Sequence, residues 1–271
     1  MKKTTIQDNI YSWILGQRAA TLNEISEYYR QTLGELNQIK YVYDKFVTPM
    51  LKQEKVVRVR RGLYVPIDPV SGKPSTDKFI IASKIKPDYY LGYHTALEFY
   101  GSAYSEHTQT YICVKPRNRF KEFQFNGVSF KPVYVNDTKT DTIKTGYRNH
   151  KIKVCSKERL LIECIGKPDY SGGWEETLKS IHSLGGLDYT NVMKWINIKD
   201  QQILTRKTGY ILELLKENSI YHRHLPVTIL DKIEDKVKGQ PMYLINKSSG
   251  PLNKKWMLYI PEKFGENLRG I

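Results

Sequence analysis

Arg58, Arg60 and Arg61 fall within Val56-Val57-Arg58-Val59-Arg60-Arg61-Gly62-Leu63-Tyr64-Val65-Pro66, and the chemistry open to them is phosphate capture. Two β-branched runs around an Arg-Arg-Gly tip predict a β-hairpin. Gly62 can take the positive φ of a tight turn, which would leave Arg60 and Arg61 at an exposed tip suited to phosphates or a narrow minor groove. From Lys52 to Arg61 the cations Lys52, Lys55, Arg58, Arg60 and Arg61 face the single anion Glu54. Basic residues on an edge hairpin also prevent strand-to-strand aggregation, the bland account of Arg58 and Arg60.

Other reactive residue types are weaker signals. Asp137 and Asp141 near Lys139 and Lys144 are the types a metal-dependent nuclease uses, but their Thr, Asn and Gly surroundings read as a solvated loop. His94 could act as acid, base or ligand, although a histidine there more often caps a helix or satisfies a buried hydrogen bond. His222 and His224 have no further ligands nearby in sequence. Gly172-Gly173 lacks the lysine and Ser/Thr of a phosphate loop. Cys113, Cys155 and Cys164 are odd in number and lack metal-site spacing, so neither a zinc site nor a disulfide framework is indicated. No catalytic residue, metal or cofactor is expected. Tyrosines interleaved with lysines could stack on unpaired bases, which keeps an RNA-binding protein open as an alternative.

The elements that must position the arginines come before them. Ile6, Ile10, Trp13 and Ile14 recur at helical spacing and predict a helix ending near Gly16. Thr21 with Glu24 is a capping-box signature for a second helix to about Arg30, with Leu22, Ile25 and Tyr29 facing inward. After Gly34 a third helical pattern runs from Leu36 to Leu51, kinked or restarted at Pro49. Its outward positions, Asn37, Gln38, Lys40, Tyr41, Asp44 and Lys45, are types that read base edges or hold phosphates from a major-groove helix. An ordinary solvated face is the competing account. Three helices and a basic hairpin give the order of a winged helix-turn-helix, so binding to duplex DNA is the leading expectation.

Composition is compatible with that. The 271 residues carry a formal net charge of +15, which favours polyanion partners, with 40% hydrophobic and 12% aromatic residues to build cores. No apolar run is long enough to span a bilayer, and Gln7, Asp8 and Asn9 interrupt any signal-peptide core after Lys2 and Lys3. The cytoplasm is the expected compartment, with no membrane partner.

The Pro-, Ser- and Gly-rich stretch 66–77 is the expected boundary between a winged helix-turn-helix with its linker (residues 1–77) and a larger mixed α/β part (78–271), an α+β fold overall. Helices are expected over 79–85, 95–100, 156–165 with Ser156 as N-cap, 174–184, 189–198 and 209–215. Strands are expected at 111–114, 128–135, 152–154, 242–245 and 256–260.

The hairpin Val59-Arg60-Arg61-Gly62-Leu63-Tyr64-Val65 resembles the wing of AbiEi-type antitoxins of type IV toxin–antitoxin systems. Ile81-Ala82-Ser83 with Pro87-Asp88-Tyr89-Tyr90-Leu91-Gly92-Tyr93-His94-Thr95-Ala96-Leu97-Glu98-Phe99-Tyr100-Gly101 is similar to a second segment of that family. Lys153 to Cys164 resembles its strand-to-helix element, with Lys157 in place of the usual proline, and Pro168 to Glu176 is similar too. The resemblance implies an abortive-infection (phage-defence) antitoxin that represses its own operon through the winged helix. It further implies that the carboxy-terminal part neutralises a cognate nucleotidyltransferase-like toxin, and that Arg58, Arg60 and Arg61 touch promoter DNA. A transcriptional regulator without a toxin partner is the alternative.

Overall fold

In the computed structural model, which describes residues 5–34, 38–246 and 248–268, the first two helices open with the same device. Thr5 accepts the N–H of Asp8, and the Asp8 carboxylate returns to the Thr5 N–H, starting α1 (Ile6–Gln17). Thr21 and Glu24 do the same for α2 (Leu22–Leu33), so each cap satisfies donors that the first turn leaves open. Between them lies the short strand β1 (Ala20–Thr21). Gly34, in the left-handed region at φ 68°, ends α2.

A third helical stretch follows: α3 (Ile39–Val42), a π turn over Tyr43–Val47, and α4 (Thr48–Lys52). The expected break at Pro49 is expressed as this π turn. Proline has no N–H for the carbonyl four residues back and its ring crowds that carbonyl. The turn widens instead, and the Thr48 N–H reaches the Tyr43 carbonyl five residues back. Strands β2 (Val56–Arg60) and β3 (Leu63–Pro66) complete an antiparallel sheet in the order β1-β3-β2. Helix, strand, helix, helix and a closing hairpin is the winged-helix arrangement.

The sheet is buried on both sides. Val56 and Tyr64 join Ile10, Ile14, Ile25, Phe46 and Met50 in one apolar cluster, while Ala19, Val59, Leu63 and Val65 belong to the core of the larger part. The connector after β3 is stitched down. Ile67 bridges to Pro74, the Ser75 N–H bonds the Pro66 carbonyl at 2.9 Å, and the Tyr11 hydroxyl bonds the Ile67 carbonyl at 2.8 Å.

The larger part begins with α5 (Lys78–Ile85), capped by Asp77, and surrounds a mixed six-stranded sheet. Its strands are β4 (Tyr89–Leu91), β5 (Gln109–Val114), β6 (Phe123–Phe125), β7 (Val128–Tyr134), β8 (Thr142–Tyr147) and β9 (His150–Cys155), in the order β6-β7-β5-β4-β9-β8. The β5–β7 and β4–β9 pairs are parallel. The helices are α6 (Tyr93–Phe99), α7 (Lys157–Gly166), α8 (Gly173–His182), α9 (Tyr189–Lys199), α10 (Gln202–Asn218) and α11 (Val227–Glu234). Ser156 caps α7 as expected. A small sheet of β10 (Met242–Tyr243), β11 (Leu252–Asn253) and β12 (Leu258–Tyr259) follows α11; these strands are shorter than expected and Trp256 precedes its strand. The expected α+β class, with a winged helix ahead of a larger mixed part, is the observed one.

The strongest polar feature of this core is Arg159. Its guanidinium donates to the Glu163 carboxylate (2.8 Å), the Tyr90 hydroxyl (2.7 Å) and the carbonyls of Thr140 (2.6 Å) and Asp137 (2.8 Å). It also lies against the rings of Tyr90 and Trp195 at 4.2 and 4.9 Å. Each acceptor offsets part of the cost of burying the charge.

Candidate nucleic-acid interface

Val42, Phe46, Val47 and Met50 turn inward from the third helical stretch, and this sets what remains outside. Gln38, Lys40, Tyr41, Asp44 and Lys45 are all exposed. Asn37 lies outside the described residues. Gln38 stands at the N-cap with extended backbone and no side-chain capping bond. Tyr41 is half held, its ring 6.2 Å from both Tyr29 and Phe46, and Lys45 Nζ lies 5.3 Å from the same ring. Lys45 thus stands on the outer face beside Tyr41.

The wing differs from its expected form at one residue. Arg58 pairs with Tyr64 and Arg60 with Leu63, so Val59 is an extra residue in β2, a β-bulge. The bulge breaks the equivalence of positions two apart. Arg58 stays exposed, and so does Arg61 beside Gly62 at φ 77°. Arg60 is not at an exposed tip. Its guanidinium turns onto the larger part, 5.1 Å from the Phe123 ring and 5.7 Å from Phe120. Burial pushes its pKa below the ordinary guanidinium value, and Nη1 is shut off from solvent without a hydrogen-bond partner.

Between the wing, the start of α2 and the end of α5 runs an open cleft of about 920 Å³. Arg58, Arg60, Arg61 and Lys84 line it together with Asn23 and Tyr43, and among the described residues no carboxylate does. Lys84 is a cation that sequence reasoning missed, because it comes from α5 and approaches only through the fold. It also pairs with Glu24 at 2.5 Å. Burial raises the pKa of Glu24, but Lys84 and the Thr21 N–H outweigh it and leave the carboxyl below its ordinary value. The structure thus joins Arg58 and Arg61 with Asn23, Tyr43 and Lys84, and sets Gln38, Lys40, Tyr41 and Lys45 on the neighbouring helix.

The residues weighed for catalysis do not assemble around one another. Asp137 accepts the N–H groups of Lys139 and Thr140, whereas Asp141 accepts the Trp195 indole N–H at 2.6 Å, and Lys144 lies in β8 rather than in a loop. His222 is buried between Tyr189 (3.0 Å) and the Ile181 carbonyl (2.9 Å), while His224 is exposed. Tyr89 and Tyr90 are core residues of β4, out of reach of unpaired bases. Cys113, Cys155 and Cys164 are buried free thiols. His94 meets two residues, His107 and Glu176, that sequence spacing could not associate with it.

No family model matches the chain, and no curated protein matches it either. The fold is nevertheless shared with a solved structure, that of the RV2827C protein from Mycobacterium tuberculosis. The two chains are 12% identical, superpose with a TM-score of 0.64, and the match covers 99% of this chain and 95% of that one. Among the described residues no helix is long and apolar enough to cross a membrane.

Proposed function

We propose that this protein is the antitoxin of a type IV toxin–antitoxin system, a cytoplasmic protein that binds promoter DNA and represses its own operon. The observation that carries the reading is the pairing of two exposed cationic elements on one winged helix, Lys40 and Lys45 on the helix and Arg58 and Arg61 on the wing. Helix residues of that kind suit the major groove, and the wing arginines suit the flanking backbone or minor groove. The larger part, built on its own six-stranded sheet, is the candidate for neutralising a nucleotidyltransferase-like toxin. That half rests on the family resemblance of its segments.

The test is a pair of assays on one set of variants. Arg58→Ala/Arg61→Ala is expected to lose promoter binding and repression yet still rescue cells that express the toxin encoded beside it, at matched abundance. Rescue that fails with the folded variant removes the division of labour. Promoter binding by wild type with no toxin to rescue from favours a transcriptional regulator without a toxin partner, and preference for structured RNA over duplex DNA removes the reading.

A further inference from the structure

Away from the basic surface, three ligand-type side chains meet from three parts of the chain: His94 on α6, His107 in the loop before β5, and Glu176 on α8. We propose that they bind one divalent transition ion of the zinc type, with water completing its shell.

Distances support a shared ion. His94 Nε2 lies 3.2 Å from Glu176 Oε1, and ligand atoms of all three residues fall within 4.8 Å of one another. Two ligands of a tetrahedral ion bound at about 2.0–2.1 Å sit about 3.3 Å apart. Two imidazoles and one carboxylate suit zinc or its neighbours better than magnesium or calcium, which take oxygen ligands.

Hydrogen-bond accounting on His94 gives an independent reason. The ring is fully buried between two carboxylates: Nε2 faces Glu176, and Nδ1 faces Glu98 Oε1 at 3.6 Å with no hydrogen-bond partner. A neutral imidazole has one N–H, so it can donate to one carboxylate and must turn a lone pair on the other. An ion at Nε2 removes the conflict. Glu176 then binds the ion, and Nδ1–H points at Glu98, the carboxylate–histidine–metal arrangement.

The supporting groups are already in place. Glu98 Oε1 accepts the backbone N–H of His107 at 2.8 Å, and Oε2 pairs with Lys78 at 2.5 Å. Glu176 accepts the Ser105 N–H at 3.0 Å and hydroxyl at 2.9 Å, and the Ser180 hydroxyl at 3.2 Å. At Gly172, φ +85°, a Cβ would fall 2.7 Å from His107 Cε1 and 2.8 Å from Glu176 Cγ, so the absent side chain is what lets these residues close together. His107 has one adjustment to make. Its ring stacks face to face on His94 at 3.6 Å, whereas imidazole binds metal through a lone pair in its own plane, so this half-exposed ring swings edge-on when the ion enters. The ion would clasp the loop before β5 to α6 and α8.

Untagged full-length protein, stripped with a chelator, is titrated with Co²⁺, whose visible d–d band reports tetrahedral nitrogen and oxygen ligation. One ion per chain is expected, displaced by Zn²⁺, with Zn²⁺ raising Tm because it binds the folded state. His107→Ala and Glu176→Gln lose both the band and the Tm rise, and Glu98→Gln weakens affinity about 10–100-fold. Circular dichroism confirms that the variants fold; if Glu176→Gln does not, His107→Ala carries the test, since its side chain is half-exposed. No band with wild type, or a band and Tm rise that survive His107→Ala, overturns the assignment.

Discussion

The Arg60 guanidinium lies 5.1 Å from the centre of the Phe123 ring, so a residue of the wing is docked on a strand of the other sheet. Its neighbour Arg61 is exposed. Adjacent arginines of the same type therefore have different surroundings, and their variants should separate.

Arg58→Ala and Arg61→Ala should each weaken duplex DNA binding and reduce the slope of log K against log salt by about 1, from about −4 for four or so phosphate contacts. Arg60→Ala should leave that slope near the wild-type value and lower folding stability by about 1 kcal/mol through the lost aromatic contact. Anisotropy titrations at several salt concentrations, with urea denaturation alongside, measure both. An Arg60→Ala protein of unchanged stability and reduced slope would return Arg60 to the proposed DNA-binding surface.

Arg159→Met should destabilise the larger part by about 3–5 kcal/mol, because Glu163, 3% exposed at its side chain, is left as a buried charge without its cation. Arg159→Met/Glu163→Gln should recover part of that loss. Equal stability of the single and double variants in urea would show that the pair is not coupled.

A Cβ at Gly209 would stand 2.1 Å from Cζ3 of Trp256. Gly209→Ala should therefore cost about 1–3 kcal/mol by overpacking, against the gain of about 1 kcal/mol that alanine brings to an ordinary helix position. A lower Tm and easier quenching of Trp256 fluorescence are expected; a higher Tm would mean the indole has room to move.

Burial pulls the carboxyl pKa of Asp137 upward, yet the Thr140 side chain and the N–H groups of Lys139 and Thr140 outweigh it and hold the group at about 2. The folded value lies below the ordinary 3.8, so the contribution is present above that pH and fades as pH falls toward 2. Asp137→Asn should be less stable than wild type by under about 1 kcal/mol near neutrality, because the group is partly solvated, and the gap should close by about pH 2. Denaturation series at both pH values check the sign.

Several local signals are readable in the sequence because a residue acts on its own stretch of backbone: Thr21, Glu24 and Ser156 as caps, Gly34 and Gly62 through a positive φ. The caps at Thr5, Asp77 and Asp188 act in the same way and were not read. Strands β1, β4, β6, β8 and β11 and helix α11 were not read. β4 has only three residues, and its tyrosines look like surface aromatics until the sheet covers them. β8 is an edge strand whose exposed residues carry no apolar run. The candidate surface was legible in Arg58 and Arg61 but not in Arg60, whose direction depends on a bulge and on Phe120 and Phe123. Lys84, His107 and Glu176 could not be placed, because their partners are distant along the chain.

The sheet β1-β3-β2 is covered on both sides, and this bears on how the molecule comes apart. A sheet covered on one side can be lifted away whole, as a cassette. This one cannot: cutting after residue 77 would bare Val59, Leu63 and Val65 to water. Those side chains tie the unfolding of the winged helix to that of its neighbour. Heating should then give one cooperative transition where a tethered pair would give two, and the connector, stitched at Ile67 and Ser75, offers no hinge about which the parts could swing.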